Sequence, residues 1–194
     1  MHETDFIQGL KRGDHDVFRQ LIEQFQVPLV RLSKGFLHNE EDARDVVQET
    51  FIEVFESIER FRADASLFTW IYRIAVNKSL NLVRKRKISG WMMNMDSHST
   101  DNSHTRDTEI MDKGSKMPGN RLEEKERSGI IRKAIDSLPV NQRIAFLLQN
   151  YHDLSYKEIA VVMEISLPSV ESLIHRAKEG LQKRLYKMYK KNLL

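Results

Sequence analysis

Trp70, Tyr72, Arg73, Asn77 and Lys78, followed by the run Arg84-Lys85-Arg86-Lys87, put flat rings, an amide and cations on one stretch of chain. That combination suits single-stranded nucleic acid, because rings stack on unpaired bases and cations follow the phosphates. Helical spacing places Trp70 inward with Leu67 and Ile74, which leaves Tyr72 and Asn77 as the better contact candidates. A second group lies upstream: Asp45, Gln48, Glu49, Ile52, Glu53 and Glu56, acids and an amide with one apolar side chain among them. A solvated acidic face and a docking patch with a polar rim fit this pattern equally well.

A third group is the stretch from Leu154 to Leu181. Ser155 and Glu158 have the spacing of a capping box ahead of Ile159, Ala160 and Met163. Ser166 then stands where it can cap a second helix, with Pro168 near the first turn and Val170, Leu173, Ile174, Ala177 and Leu181 on one side. Two short amphipathic helices joined by a tight turn form a helix-turn-helix, whose second helix stands out from a small core to enter the DNA major groove.

Catalytic chemistry finds no foothold. There is no P-loop, no glycine-rich cofactor turn, no nucleophile–base pair and no metal motif. The chain has no cysteine, which excludes disulfides and thiolate metal sites, and its seven histidines are scattered. Neither a cofactor nor a metal is expected, and no enzyme. No run approaches the ~18 apolar residues of a membrane span, and no secretory signal follows the N-terminal charges. These features, with the lack of cysteine, lead to a cytoplasmic expectation.

Net charge is only +3, unevenly spread. Residues 1–87 carry 14 basic and 14 acidic side chains, residues 88–120 carry 3 and 5, and residues 121–194 carry 14 and 9. An excess this small attracts phosphate modestly, so a partner must supply much of any DNA affinity.

The elements that hold these groups all have the helical period. Asp14 can cap a helix that turns Phe18, Leu21, Ile22 and Phe25 inward; Pro28 breaks, kinks or restarts it, and Leu29, Leu32, Phe36 and Leu37 extend the stripe. Asn39 caps the next, whose inward residues are Ala43, Val46, Val47, Thr50, Phe51, Val54, Phe55 and Ile58. Another starts near Ser66 and ends at the basic run. Residues 88–120 lose the period and read as a flexible linker. Trp91, Met92, Met93 and Met95 within it suit a short apolar extension of the preceding helix or a contact with one domain, or else a segment that docks on a partner. Periodicity returns with Ile130, Ile131, Ala134, Ile135 and Leu138, stops at Pro139, and resumes in a helix capped by Asn141. The expected fold is all-α: two small helical domains, 1–87 and 121–194, the second containing the helix-turn-helix.

The run EEDARDVVQETFIEVFESIERFRADASLFTWIYRIAVNKSLNLVRKRK resembles the N-terminal domain of ECF (extracytoplasmic-function) sigma factors, bacterial transcription initiation factors. The run LPVNQRIAFLLQNYHDLSYKEIAVVMEISLPSVESLIHRAKEGLQKRL is similar to their C-terminal domain. The two occur in the family's order and spacing. The resemblance implies that Asp45, Gln48, Glu49 and Ile52 dock on core RNA polymerase. It implies that Tyr72, Arg73, Asn77, Lys78, Arg84, Lys85, Arg86 and Lys87 recognise and melt the −10 element, with Asn77 beside a flipped base. It implies that Ser169, Glu171, Ser172, His175 and Arg176 face the −35 element, and that an anti-sigma factor is a partner. The linker would thread toward the polymerase cleft. Two residues depart from the family pattern: Glu171 replaces a common basic residue, and Glu164 stands where the turn commonly has glycine, at roughly 1 kcal/mol if φ is positive. The alternative is a stand-alone helix-turn-helix regulator.

Overall fold

Helix starts and stops follow capping chemistry. In the computed structural model, backbone is described for residues 3–96 and 121–190 and side chains for residues 3–86 and 128–190, and the regular elements among these are helices. The helices are α1 (Glu3–Lys11), α2 (His15–Leu37), α3 (Glu40–Ser57), α4 (Leu67–Asp96), α5 (Arg121–Asp136), α6 (Val140–Tyr151), α7 (Tyr156–Met163) and α8 (Leu167–Tyr189). A 3-10 turn at Ile58–Arg60 follows α3.

Asp14 caps α2 by accepting from the amides of Asp16 and Val17, and Asn39 caps α3 by accepting from Glu41 and Asp42. Pro28 neither breaks nor restarts α2, which runs through it. Asn141 lies inside the first turn of α6 and caps nothing; Pro139 takes the cap position. The backbone of α4 continues to Asp96, into the stretch read as linker, as the helix-extension reading of residues 88–96 requires. The remainder of that stretch, 97–120, lies outside the described residues, as do the side chains of Lys87, Trp91, Met92, Met93 and Met95.

Within the helix-turn-helix the capping box forms as spelled: Ser155 Oγ accepts from the Glu158 amide, and the Ser155 amide donates to Glu158 Oε2 at 2.7 Å. Helix α7 stops at Glu164, which adopts φ 55 and ψ 43 and returns its N–H to carbonyls of the last turn. Glutamate therefore occupies the left-handed conformation that glycine adopts without penalty.

The apolar stripes of the two helical groups join. One continuous buried cluster runs from Leu21, Leu29, Val54, Ile71 and Val76 of the first group to Ile144, Leu148, Ile159 and Val170 of the second. Helix α6 packs on α2, and α7 packs on α4. The approach of α6 is close enough that a Cβ on Gly35 would meet Leu147 Cδ1 at 2.7 Å.

Two polar contacts sit in this joint. Arg143, 4% exposed, donates from Nη1 to His38 Nε2 and to the Asp136 carbonyl, both at 2.7 Å, and from Nη2 to the Phe36 carbonyl. A guanidinium has no acceptor, so His38 must be neutral with its proton on Nδ1, which faces Asp136 Oδ1 at 3.7 Å. The second contact joins the Tyr72 hydroxyl to His152 Nδ1 at 3.0 Å. Burial, then the charge of Arg143 and that of Arg132, holds the His38 pKa below its usual value against the opposing pull of Asp136. Burial lowers His152 to about 4, against Asp153 and with Arg31.

Two predictions follow from these elements. Glu164→Gly should raise stability in urea by up to about 1 kcal/mol, since it relieves the left-handed strain; unchanged or lower stability would contradict the strain. Both histidines bind protons more weakly in the packed state than at their free value of 6.5. Their contribution is therefore complete above pH 6.5 and is lost as pH falls below it, for His152 through about 4. The melting temperature should drop through that window, and drop less in His152→Gln.

Candidate nucleic-acid and docking interfaces

Helix α8 is anchored by Val170, Ile174, Ala177 and Leu181, all buried. The opposite side is set by that anchoring. Ser169, Glu171, His175 and Arg176 are exposed and Ser172 is half-buried. Glu171, Ser172, His175 and Arg176 line one shallow depression with Tyr156, Pro168 and Lys178. Tyr156 and Lys178 escaped the sequence reading. Lys178 is three residues past His175, so helical spacing alone could have included it. Tyr156 comes from α7 and enters through the turn.

Ser166 occupies the N-cap position, but its hydroxyl pairs with that of Ser169 at 2.8 Å and makes no bond to the backbone. The expected side-chain cap is absent. The first-turn amides keep the unpaired donors and positive end of a helix N-terminus, which suit a phosphate.

Helix α4 places its candidates differently from expectation. Ser66 starts it by accepting from the Thr69 amide at 3.1 Å. Tyr72 does not reach solvent: it is 1% exposed, stacked on Phe68 with ring centroids 4.2 Å apart and edge-on to His152. The outward expectation for Tyr72 fails because α7 covers the side of α4 that carries it, whereas Trp70 packs against the core as expected. Trp70 is half-buried on Phe61, 5.0 Å between centroids. Burial holds the Tyr72 hydroxyl protonated by pushing its pKa up.

Arg73 and Asn77, one turn apart, are half-buried on the partly open side of α4. Lys78 is also half-buried and reaches back to α3, 2.8 Å from Glu53 and 3.7 Å from Glu49. Farther along, Arg84 and Lys85 are exposed, and Arg86 pairs with Asp42.

Helix α3 buries Ala43, Val46, Val47, Thr50, Phe51 and Val54. Asp45, Gln48, Glu49 and Ile52 form a row on the other side, with Ile52 51% exposed. Phe55, expected inward, is also 51% exposed and lies edge-on to Phe18 at 5.2 Å. The stripe that fills the core is narrower than the run of apolar residues, so Phe55 joins Ile52 one turn later on the surface. The result is an apolar pair with an acidic rim.

The family description Sigma-70 region 2 matches residues 21–88, and Sigma-70, region 4 matches residues 128–181. The chain is 30% identical over 190 residues to the RNA polymerase sigma-H factor of Pseudomonas aeruginosa, covering 94% of this chain and 93% of that one. It is likewise 30% identical over 179 residues to the ECF RNA polymerase sigma-E factor of Escherichia coli (strain K12), covering 92% of each. Its fold is similar to that of CnrH, solved in complex with the cytosolic domain of CnrY, at a TM-score of 0.65 and 23% identity over 94% of this chain and 96% of that one. The sigma factor RpoE of Bartonella quintana, solved with the anti-sigma factor NepR, also matches at a TM-score of 0.65, with 20% identity over 87% and 96%. With both region 2 and region 4 in place across nearly the full length of these relatives, the chain belongs to the ECF sigma factors of the sigma-70 family and is an RNA polymerase sigma factor for transcription initiation.

Proposed function

We propose that three helix faces divide the work of promoter recognition. Asp45, Gln48, Glu49 and Ile52 of α3, joined by Phe55, dock on core RNA polymerase. Arg73, Asn77, Lys78, Arg84, Lys85, Arg86 and Lys87 recognise and melt the −10 element, with Tyr72 joining them only when it leaves its buried site. Ser169, Glu171, Ser172, His175 and Arg176 of α8, with Tyr156 and Lys178 beside them, meet the −35 element. The observation that carries this reading is the two-sided build of α8: a buried inner row and a polar outer row, of which Glu171, Ser172, His175 and Arg176 line one depression. That is what a major-groove helix needs.

The bond-making chemistry belongs to the polymerase, and this chain contributes no catalytic residue. It works in the cytoplasm as two units, 1–87 and 121–194, joined by the stretch 88–120. The solved complexes of CnrH and RpoE support an anti-sigma factor as a partner. The acidic rim around Ile52 and Phe55 suits a basic surface on the polymerase.

Run-off transcription with core polymerase over a randomised promoter library tests the reading and yields the consensus. Ile52→Glu should abolish capture of core enzyme while leaving the helical circular dichroism unchanged, since the side chain is half-exposed. Arg176→Ala should lower promoter use about tenfold if it reads a base, a loss of about 1–3 kcal/mol concentrated on one position. A uniform loss across promoters, with the salt slope reduced by about 1, assigns it to phosphate. Tight sequence-specific duplex binding without polymerase would instead make the chain a stand-alone regulator.

A further inference from the structure

Two helix faces of this chain share one build and carry opposite charge. The first is the outer end of α8. Past the buried Leu181, Leu185 touches the small core of Ala134, Ile135 and Leu138, and the helix then runs on to Tyr189. Tyr186 and Tyr189 are 59% and 67% exposed, and with Lys178, Leu181, Gln182 and Leu185 they line a shallow apolar depression. From Lys178 to Lys190 the chain carries five cations, Lys178, Lys183, Arg184, Lys187 and Lys190, against one acid, Glu179. Glu179 stands 4.0 Å from His175. A recognition helix reads base edges with its N-terminal residues, and the major groove is only about 8.5 Å deep. Helix α8 has 23 residues, about 34 Å at 1.5 Å per residue, so this end projects past the groove.

The second face is on α3. Glu40–Ser57 carries seven acids against one base, Arg44. Its open side sets Ile52 and Phe55, each half exposed, among Asp45, Glu49, Glu53 and Glu56. Helix α3 packs on α2 and α4, and α8 packs on α5, α6 and α7. The exposure of Ile52, Phe55, Tyr186 and Tyr189 shows that neither face covers the other within one molecule. Two rings with a basic rim match an apolar pair with an acidic rim. Like faces do not match: two α8 ends would set cations against cations, and two α3 faces acids against acids.

We propose that the outer end of α8 docks on the α3 face of a second copy of this chain, with Tyr186 and Tyr189 against Ile52 and Phe55 and the α8 cations against the α3 carboxylates. The two faces differ, so the contact closes when two copies exchange it reciprocally and otherwise extends head to tail. Two short helix faces fall below the roughly 1,200–2,000 Å² buried in a stable complex. The association is therefore weak, dependent on concentration and sensitive to salt. Its consequence rests on the reading of α3 as the polymerase-docking face: a docked second copy and core polymerase compete for that face. Chain in excess of polymerase is then held in self-associated form, and free core enzyme draws it out by mass action.

Sedimentation velocity on the full chain tests this. The weight-average sedimentation coefficient should rise with concentration across the micromolar range and fall back when salt is raised about tenfold. Lys183→Glu with Arg184→Glu should weaken the association about tenfold or more, and so should Asp45→Lys with Glu56→Lys. All four side chains are exposed, and circular dichroism confirms that the variants stay helical. Mixing the two reversed variants one to one should restore the association that each has lost. Tyr186→Ala with Tyr189→Ala should weaken it several-fold through the apolar part of the contact. A wild-type chain that is monomeric at about 100 μM overturns the proposal. So does association that survives both charge reversals, or a mixture that stays monomeric. Core polymerase is then added to the associated chain, and a one-to-one complex should form as the self-association disappears. If the charge reversals behave as stated but polymerase binds the associated form whole, the docking assignment of α3 fails and the self-association stands. If the wild type is monomeric while Ile52→Glu still abolishes capture of core enzyme, the docking assignment stands and the self-association falls.

Discussion

A guanidinium removed from water must find acceptors, because the desolvation of an unpaired charge costs several kcal/mol. Arg143 is in that position, and its acceptors are the Phe36 carbonyl in the last turn of α2, the carbonyl of Asp136 and one nitrogen of His38. Much follows from satisfying it. His38 must be neutral and oriented with Nδ1 toward Asp136. Helix α6 must come close to α2, which requires Gly35 under Leu147. With α6 placed, α7 falls against α4 and His152 closes over Tyr72. The apolar cluster supplies most of the driving force, and the arginine selects the register in which that force is used.

The surfaces left over are those that a multi-contact factor can use. No single face carries a large charge. Helix α3 offers two half-exposed apolar side chains with acids around them, and α4 offers a basic end beyond Asn81. Lys78 ties the two helices together through Glu49 and Glu53, so the proposed docking and DNA faces meet at an ion pair. Exposed ion pairs of this kind contribute little stability, of order 0–1 kcal/mol. Their effect is to align side chains. Weak contacts on separate faces add up when one large partner holds both the protein and the DNA. That reconciles a net charge of +3 with a role in reading promoters.

Much of the architecture was legible before any coordinates. The caps at Asp14, Asn39 and Ser155, the inner row of α8 and the left-handed turn at Glu164 are local events, each dictated by a few neighbouring residues. The paired sequence blocks that place the chain among sigma factors were equally visible. What failed to show were the sides of helices that meet another group of helices. Tyr72 has the spacing of an outward residue within its own helix and became interior because a helix far along the chain covers it. Phe55 has the spacing of a core residue and stayed outside because the first core was already full. The Ser166 hydroxyl chose Ser169 over the backbone, a choice between two partners three residues away that no pattern distinguishes.

The sequence alone therefore determined the helices from Asp14 onward, most of their inner faces, the strained turn and the family, since all depend on periodicity and short-range hydrogen bonding; α1 was not among them. Tertiary structure decided that Tyr72 of α4 is buried and how the two halves pack. Those outcomes rest on contacts between residues 80 and 105 positions apart, Tyr72 with His152 and His38 with Arg143. A helical period records where one helix is buried against its own neighbours. It carries no information about a second surface that arrives from elsewhere in the chain.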